Sequence, residues 1–235
     1  MSNADNAGLS VSAATDLIVG RRAVRAFLPT PVERETVEDI LDIARHAPSG
    51  SNTQPWKVYV ASGTTQRSLI DKLCTAFDDP EEASRHVEEY SYYPKTWQSP
   101  YIDRRRKNGW DLYALLGIAK GDKRGMHAQY RRNLECFGAP VGLFFTIDRV
   151  MEQGSWLDYG MFIQNVMLAA RAHGLATCPQ ASFTQFHRLL QETLQWPDNE
   201  MLVCGMSLGY EDRQAIESRF ATERAPVEAF ARFFD

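Results

Sequence analysis

Ala47-Pro48-Ser49-Gly50-Ser51-Asn52-Thr53-Gln54-Pro55-Trp56 is the most informative stretch of this chain. Two prolines, a glycine and five small hydroxyl or amide residues make an ordered loop that presents uncharged hydrogen-bond donors and acceptors. Such a lining suits the edge of a heterocycle. Taken alone, the same residues fit an ordinary helix-to-strand turn with Trp56 in the core. On its N-terminal side, Thr30-Pro31-Val32-Glu33 has the form of a capping box with proline at the first helical position. The helix predicted to follow sets Val37, Ile40, Leu41 and Ala44 on one face and should stop before Pro48. On the C-terminal side, Trp56 to Val60 alternates as a strand does.

Working outward, a short helix is predicted from Ser12 to Gly20, followed by Arg21-Arg22-Ala23-Val24-Arg25-Ala26-Phe27. In an extended backbone, Arg21 and Arg25 share a face and offer forked donors to a phosphate at one end and a delocalised anion at the other. Standing alone, the run is better explained as a solvated basic turn, since charge runs usually face water. Val141 to Ile147 reads as a strand covered on both faces. Tyr159 to His173, closed by Gly174, reads as a long buried helix with too little polar surface for solvent, as at the seam of a dimer. Gly174-Leu175-Ala176-Thr177-Cys178-Pro179-Gln180-Ala181-Ser182-Phe183 is then expected to be a loop whose backbone N–H groups point inward. Thr184 is expected to cap a helix through Leu194, and Met201 to Leu208 to form a last buried strand. Cys178 has no base near it in sequence, and packing is its preferred role.

The chain has 235 residues, 44% of them hydrophobic, which suffices for one sizeable core. Residues 1–11 are expected to fray, and 12–235 to form a single domain. The first 20 residues lack the basic and apolar parts of a signal peptide, and no later run is apolar enough to span a bilayer. Cys74, Cys136, Cys178 and Cys204 are scattered, and the five histidines show no metal spacing. A cytoplasmic setting and no metal are the expectations. A formal charge of -4 weighs against nucleic-acid binding. Between His86 and Asn133, however, ten basic residues stand against five acidic ones. The sequence has no G-x-G-x-x-G, Walker loop or H-E-x-x-H, so any cofactor must sit in a distributed site.

Taken together, Arg-Arg-x-x-Arg near the start, Ala-Pro-Ser-x-x-Asn-x-Gln-Pro-Trp, Gly-Leu-x-Thr-Cys-Pro and Leu-Gly-Tyr near the end resemble the flavin-dependent nitroreductase family in order and spacing, from about Leu17 to Phe230. Tyr93-Pro94 through Phe145, with Trp110-Asp111-Leu112-Tyr113 and Gly138-Ala139-Pro140, is similar to its nitroarene and nitrobenzoate reductases. The resemblance implies an α+β fold with a central, mostly antiparallel or mixed sheet flanked by helices, in an intertwined homodimer with FMN at the subunit interface. It implies that Arg21 and Arg224 bind the FMN phosphate and that Arg22 and the Ala23 backbone support the ribityl end. Arg25 would lie by the pyrimidine edge. Pro179, Gln180, Ala181 and Ser182 would cover the ring, with the Ala181 N–H near N5. Pro48, Ser49, Gly50, Asn52 and Gln54 would reach the ring from the other subunit. The sequence departs from the family's pattern at Ala23, where serine is usual, and at Glu211, where proline is common.

The implied activity is ping-pong hydride transfer from NAD(P)H through FMN to a nitroaromatic compound or a quinone, with no catalytic side chain required. Residues 86–133 are expected to form a lid or channel wall, in which Tyr93, Trp97, Tyr101, Trp110 and Tyr113 stack on an aromatic substrate. Two amphipathic helices with core-packed aromatics and solvated charges describe this segment as well. Reductive dehalogenation, enoate reduction or dehydrogenation on the same scaffold stay open, as do a flavin-binding protein without turnover and a cofactor-free dimer that binds an apolar ligand.

Overall fold

The computed structural model describes residues 10–234, so most of the segment expected to fray lies outside the described residues. Ser10 caps α1 (Val11–Val19) by accepting the Ala13 N–H on its Oγ. The chain continues through α2 (Arg34–Ala44), β1 (Lys57–Ser62), α3 (Gly63–Asp78), α4 (Pro80–Arg85), α5 (Tyr101–Leu115) and α6 (Lys123–Leu134). It then forms β2 (Val141–Asp148), α7 (Gln153–Ala172), β3 (Ala176–Gln180), α8 (His187–Leu194) and β4 (Glu200–Gly209). Among the described residues no helix is long and apolar enough to cross a membrane.

The four strands form one antiparallel sheet in the order β1-β2-β4-β3. Strand alternation explains why β2 reads as a continuous apolar run. Leu143, Phe145 and Ile147 face a core built with α2 and α7, while Phe144 faces a second core built with α3, α8, Phe137 and Phe183. The fold is therefore α+β, with helices on both faces of the sheet.

Four boundaries differ from the sequence expectation, each for a local reason. α2 starts at Arg34 with Glu33 as its cap, because Val32 and Val37 meet in one core cluster as a hydrophobic staple across that cap. Thr30 stays exposed outside the helix. α7 starts at Gln153, six residues before Tyr159, where glycine and polar residues hide the apolar period; its end at Gly174, with φ +74°, is as expected. The segment expected to loop at Thr177-Cys178-Pro179 is strand β3, whose edge position tolerates a proline. Thr184 donates from Oγ1 to the Ala181 carbonyl within a 3-10 turn, and α8 begins only at His187.

Candidate cofactor and substrate site

The arginine run lies extended beside β3. Ala23 bridges Thr177 in parallel, and the Val24 N–H donates to the Thr177 carbonyl at 3.0 Å. Farther on, the Leu28 N–H donates to Tyr210 O at 2.8 Å and the Asp212 N–H to Ala26 O at 3.0 Å, which stitches the run to the chain leaving β4. Backbone pairing thus fixes where each arginine can reach.

The three arginines meet different partners. Arg22 pairs with the Glu211 carboxylate and with the Ser218 carbonyl. The acidic residue standing where proline was expected is therefore the counter-ion that locks Arg22. Arg21 instead has Arg224 near enough for its charge to be felt. Burial, and then the positive charge of Arg224, hold the Arg21 guanidinium below the usual arginine range. Among the described residues neither is paired with a carboxylate, and Arg224 bonds only to its own neighbours Thr222 and Glu223. Two guanidiniums 203 positions apart in sequence that repel one another make a favourable place for a multivalent anion. Arg25 donates to Ala23 O at 3.3 Å and sits 5.5 Å over the Phe220 ring, with its charge felt at Cys178 in β3. Burial outweighs that charge and pushes the Cys178 thiol up to about 11, which removes it as a nucleophile near neutrality.

At the end of β3, Pro179 is exposed and Gln180 is buried. The Gln180 side chain is committed inward, donating to Asn133 O at 2.6 Å and accepting from Ser207 Oγ at 2.5 Å. What Gln180 can offer a ligand is its backbone. Ala181 and Ser182 are half-buried in the following 3-10 turn, and Ser182 Oγ is buried with no hydrogen-bond partner among the described residues. A buried unpaired hydroxyl is costly, so a ligand group that bonds to it gains accordingly.

Two cavities flank this region. One of about 570 Å³ lies between α1, the end of α7 at Arg171 and Gly174, and Arg21, Arg22 and Tyr210. The other, of about 460 Å³, lies between α5 at Arg104 and Lys107 and residues 220–229, which include Arg224. Both fall in the range of small-molecule sites.

The loop at residues 48–54 is mostly exposed and strained: Ser51, Asn52 and Gln54 have φ of 50°, 57° and 48°. Left-handed backbone at non-glycine residues costs about 1 kcal/mol or more each and gathers at ligand-binding positions. The Gly50 N–H bonds to Asp158 on α7 at 3.0 Å, whereas the cavity wall at Arg171 lies thirteen residues farther along that helix, about 20 Å away. Within one protomer the loop and Arg21 therefore stand apart.

The five aromatics expected to meet substrate fall into two groups and one outlier. The Tyr93 and Trp97 rings lie 5.4 Å apart, tilted by 42°, with the Arg105 guanidinium over both. Trp110 meets Tyr113 edge-on at 6.2 Å, with Lys120 Nζ 5.9 Å from the Trp110 ring. Tyr101 is exposed and belongs to neither. In α5 the buried residue is Leu112, so these aromatics are not core packing for that helix. Asp158, Glu211 and Phe220 were missed by sequence reasoning. Asp158 had a signal, because it is the one charged residue between Gly154 and Ala170.

The sequence profile of the Nitroreductase family matches residues 18–210, most of the chain. The chain belongs to the nitroreductase family. Among similar members, a 4-nitrobenzoate reductase of Pseudomonas putida is 43% identical over 217 residues, covering 92% of this chain and 93% of the relative. Among solved structures, the FMN and NADPH-dependent nitroreductase NfnB from Sphigopyxis sp. strain HMH is similar with a TM-score of 0.90 at 35% identity, covering 94% of this chain and 99% of that one. NfnB from Mycobacterium smegmatis, solved in complex with NADPH, gives a TM-score of 0.89 at 36% identity, with 95% and 99% covered. In this nitroreductase the charge of Arg224 is felt at Arg21 and that of Arg25 at Cys178 in β3, while Arg22 and the Gln180 side chain are set to internal pairing.

Proposed function

We propose that this chain is an FMN-dependent oxidoreductase that uses NAD(P)H to reduce nitroaromatic compounds or quinones, as a homodimer with the cofactor where two protomers meet. The observation that carries the reading is that the Arg224 charge is felt at Arg21 while neither guanidinium has a carboxylate partner among the described residues. A dianionic phosphate relieves their repulsion and accepts forked hydrogen bonds from both. The residues fit FMN at its other end as well. Arg25 offers fixed positive charge beside β3, and Ser182 Oγ is a buried hydroxyl that needs a partner.

In this reading Arg21 and Arg224 hold the phosphate, and the Ala23 backbone lies by the ribityl chain, with Arg22 supporting it through the Glu211 pair. Arg25 lies at the pyrimidine edge, and Pro179, the Gln180 backbone, Ala181 and Ser182 cover the ring. Bound FMN supplies the acceptance and delivery of hydride. The chain's own contribution is positional: Arg25 stabilises added negative charge, and the turn at Ala181 supplies backbone donors and limits water. Solvent provides the protons.

The second protomer brings Pro48, Ser49, Gly50, Asn52 and Gln54 to the ring. Support comes from the roughly 20 Å along α7 that separates this loop from Arg21 in one protomer. Ile18, Val19, Leu157, Phe230, Phe233 and Phe234 are large apolar residues left exposed on the single chain, which a second protomer would cover. Residues 86–133 serve as the lid, where Tyr93 and Trp97 with Arg105, and Trp110 and Tyr113 with Lys120, stack on an aromatic ring and attract its carboxylate. The four buried free thiols support a cytoplasmic setting.

The test is direct. Freshly purified protein should be yellow, sediment as a dimer and oxidise NADPH on addition of 4-nitrobenzoate. A colourless protein that takes up no added FMN would overturn the reading, and a yellow one inert with every nitroarene and quinone would leave only flavin binding.

A further inference from the structure

One stripe of α7 touches the chain between α2 and β1 at three points. The Gly50 N–H donates to Asp158 Oδ2 at 3.0 Å. The Phe162 ring stacks on Trp56 with centroids 4.8 Å apart and planes within 2°. Asn165 Nδ2 donates to the Ala44 carbonyl at 3.4 Å. Positions 158, 162 and 165 follow the four-and-three spacing of a helix face, so a single rigid element holds both ends and the middle of this segment.

The middle is where holding matters most. Ser51, Asn52 and Gln54 adopt left-handed backbone, which persists in non-glycine residues only when the surroundings enforce it. Part of the enforcement is internal: the Gln54 N–H donates to Ser49 Oγ at 3.0 Å and the Asn52 N–H to Ser49 O at 3.0 Å. Those bonds set the shape of the loop without attaching it to anything. The Asp158–Gly50 bond attaches that shape to α7, through a carboxylate that makes a stronger acceptor than a neutral group. A charge placed in an otherwise uncharged stretch of helix, with one oxygen on a loop amide, does more than solvate a surface.

We propose that Asp158 is the positioning residue of the loop at 48–54, fixing where its amide and hydroxyl groups stand against the flavin of the other protomer. The inference rests on the assignment of that loop to the flavin ring edge made above. It adds a residue that acts through Gly50 and does not itself touch the cofactor.

The experiment compares wild-type protein with Asp158→Ala and Asp158→Asn in three readouts: amide hydrogen exchange over residues 49–54 with and without FMN, the FMN dissociation constant, and kcat against KM. Asp158→Ala should speed exchange at the loop about tenfold in both forms and weaken FMN about tenfold, with the melting temperature close to wild type. Asp158→Asn keeps an oxygen that the Gly50 N–H can reach and should recover most of both effects. If the alanine variant melts early, Asp158→Ser, whose hydroxyl falls short of Gly50, takes its place. Exchange and FMN affinity unchanged in the alanine variant would overturn the proposal, as would an asparagine variant no better than alanine. Faster exchange with unchanged FMN affinity would refute the link to the cofactor. If wild type itself binds no FMN, the functional reading fails, while loop exchange still decides whether Asp158 holds the loop.

Discussion

Arg21→Ala should change stability in opposite directions with and without cofactor. In the free protein the Arg21 guanidinium is partly desolvated and repelled by Arg224. Because much of that charge is still screened by water, its removal should gain only about 0.5 kcal/mol. For a chain of this length that raises the melting temperature by about 1–2 °C. With FMN the variant loses charge-assisted hydrogen bonds to phosphate worth about 2 kcal/mol, or roughly thirtyfold in dissociation constant. At FMN one hundred times the wild-type dissociation constant, ligand binding stabilises wild type by about 2.7 kcal/mol and the variant by about 0.9 kcal/mol. The order of melting temperatures should therefore invert, with the variant higher alone and lower by about 3–5 °C when loaded. Thermal unfolding at both FMN levels, with a fluorescence titration for affinity, measures this. A variant that binds FMN within threefold of wild type, or that melts several degrees lower without it, would show that Arg21 and Arg224 do not share an anion.

Two further outcomes follow from the same structure. A Cβ on Gly205 would lie 2.4 Å from the Phe183 ring, so Gly205→Ala should cost about 1–3 kcal/mol in urea unfolding and shift the turn that carries Ser182; wild-type stability would mean that Phe183 yields freely. Burial holds His187 below the usual histidine value despite Glu89. The unfolded chain then binds the proton first, so this contribution to stability is present above about pH 6.5 and is lost as pH falls through the folded value. His187→Gln should flatten the fall in urea midpoint on acidification, and an unchanged slope would assign it to other groups.

Three strands and the helices α1, α2, α7 and α8 were legible because periodicity reports burial directly, whereas α3 and α4 were not read from the sequence. Val141 to Ile147 suited a strand covered on both faces, and Val37, Ile40 and Ala44 had the spacing of the inner face of a helix. Boundaries failed where two local rules competed, as at Thr30, where a capping box lost to the Val32–Val37 staple. β3 was hidden by Pro179, since a proline argues against a strand unless that strand is known to lie at an edge, and edge position is a tertiary fact. For the site, residue type and order select segments, but not what each side chain does. Gln180 reads as a ligand for a cofactor, yet its amide closes a buried network with Asn133 and Ser207. Hydrogen-bond partners that lie 47 and 27 positions away leave no trace in local pattern.

The arginine run shows how partners divide identical side chains into different roles. Arg21, Arg22 and Arg25 are chemically equal in sequence, and the backbone pairing of residues 23 to 28 with β3 and with the chain after β4 fixes their directions. Arg22 is directed to the Glu211 carboxylate and the Ser218 carbonyl. A proline at 211 would have stiffened this exit by fixing its backbone, and would have left Arg22 without that charge partner. With glutamate, the exit is instead held by an ion pair, and a positive charge beside Arg21 and Arg224 is neutralised internally. Three uncompensated guanidiniums in one neighbourhood would destabilise the protein more than two do, so the acidic residue, by holding Arg22, both anchors the chain near Ser218 and limits that repulsion.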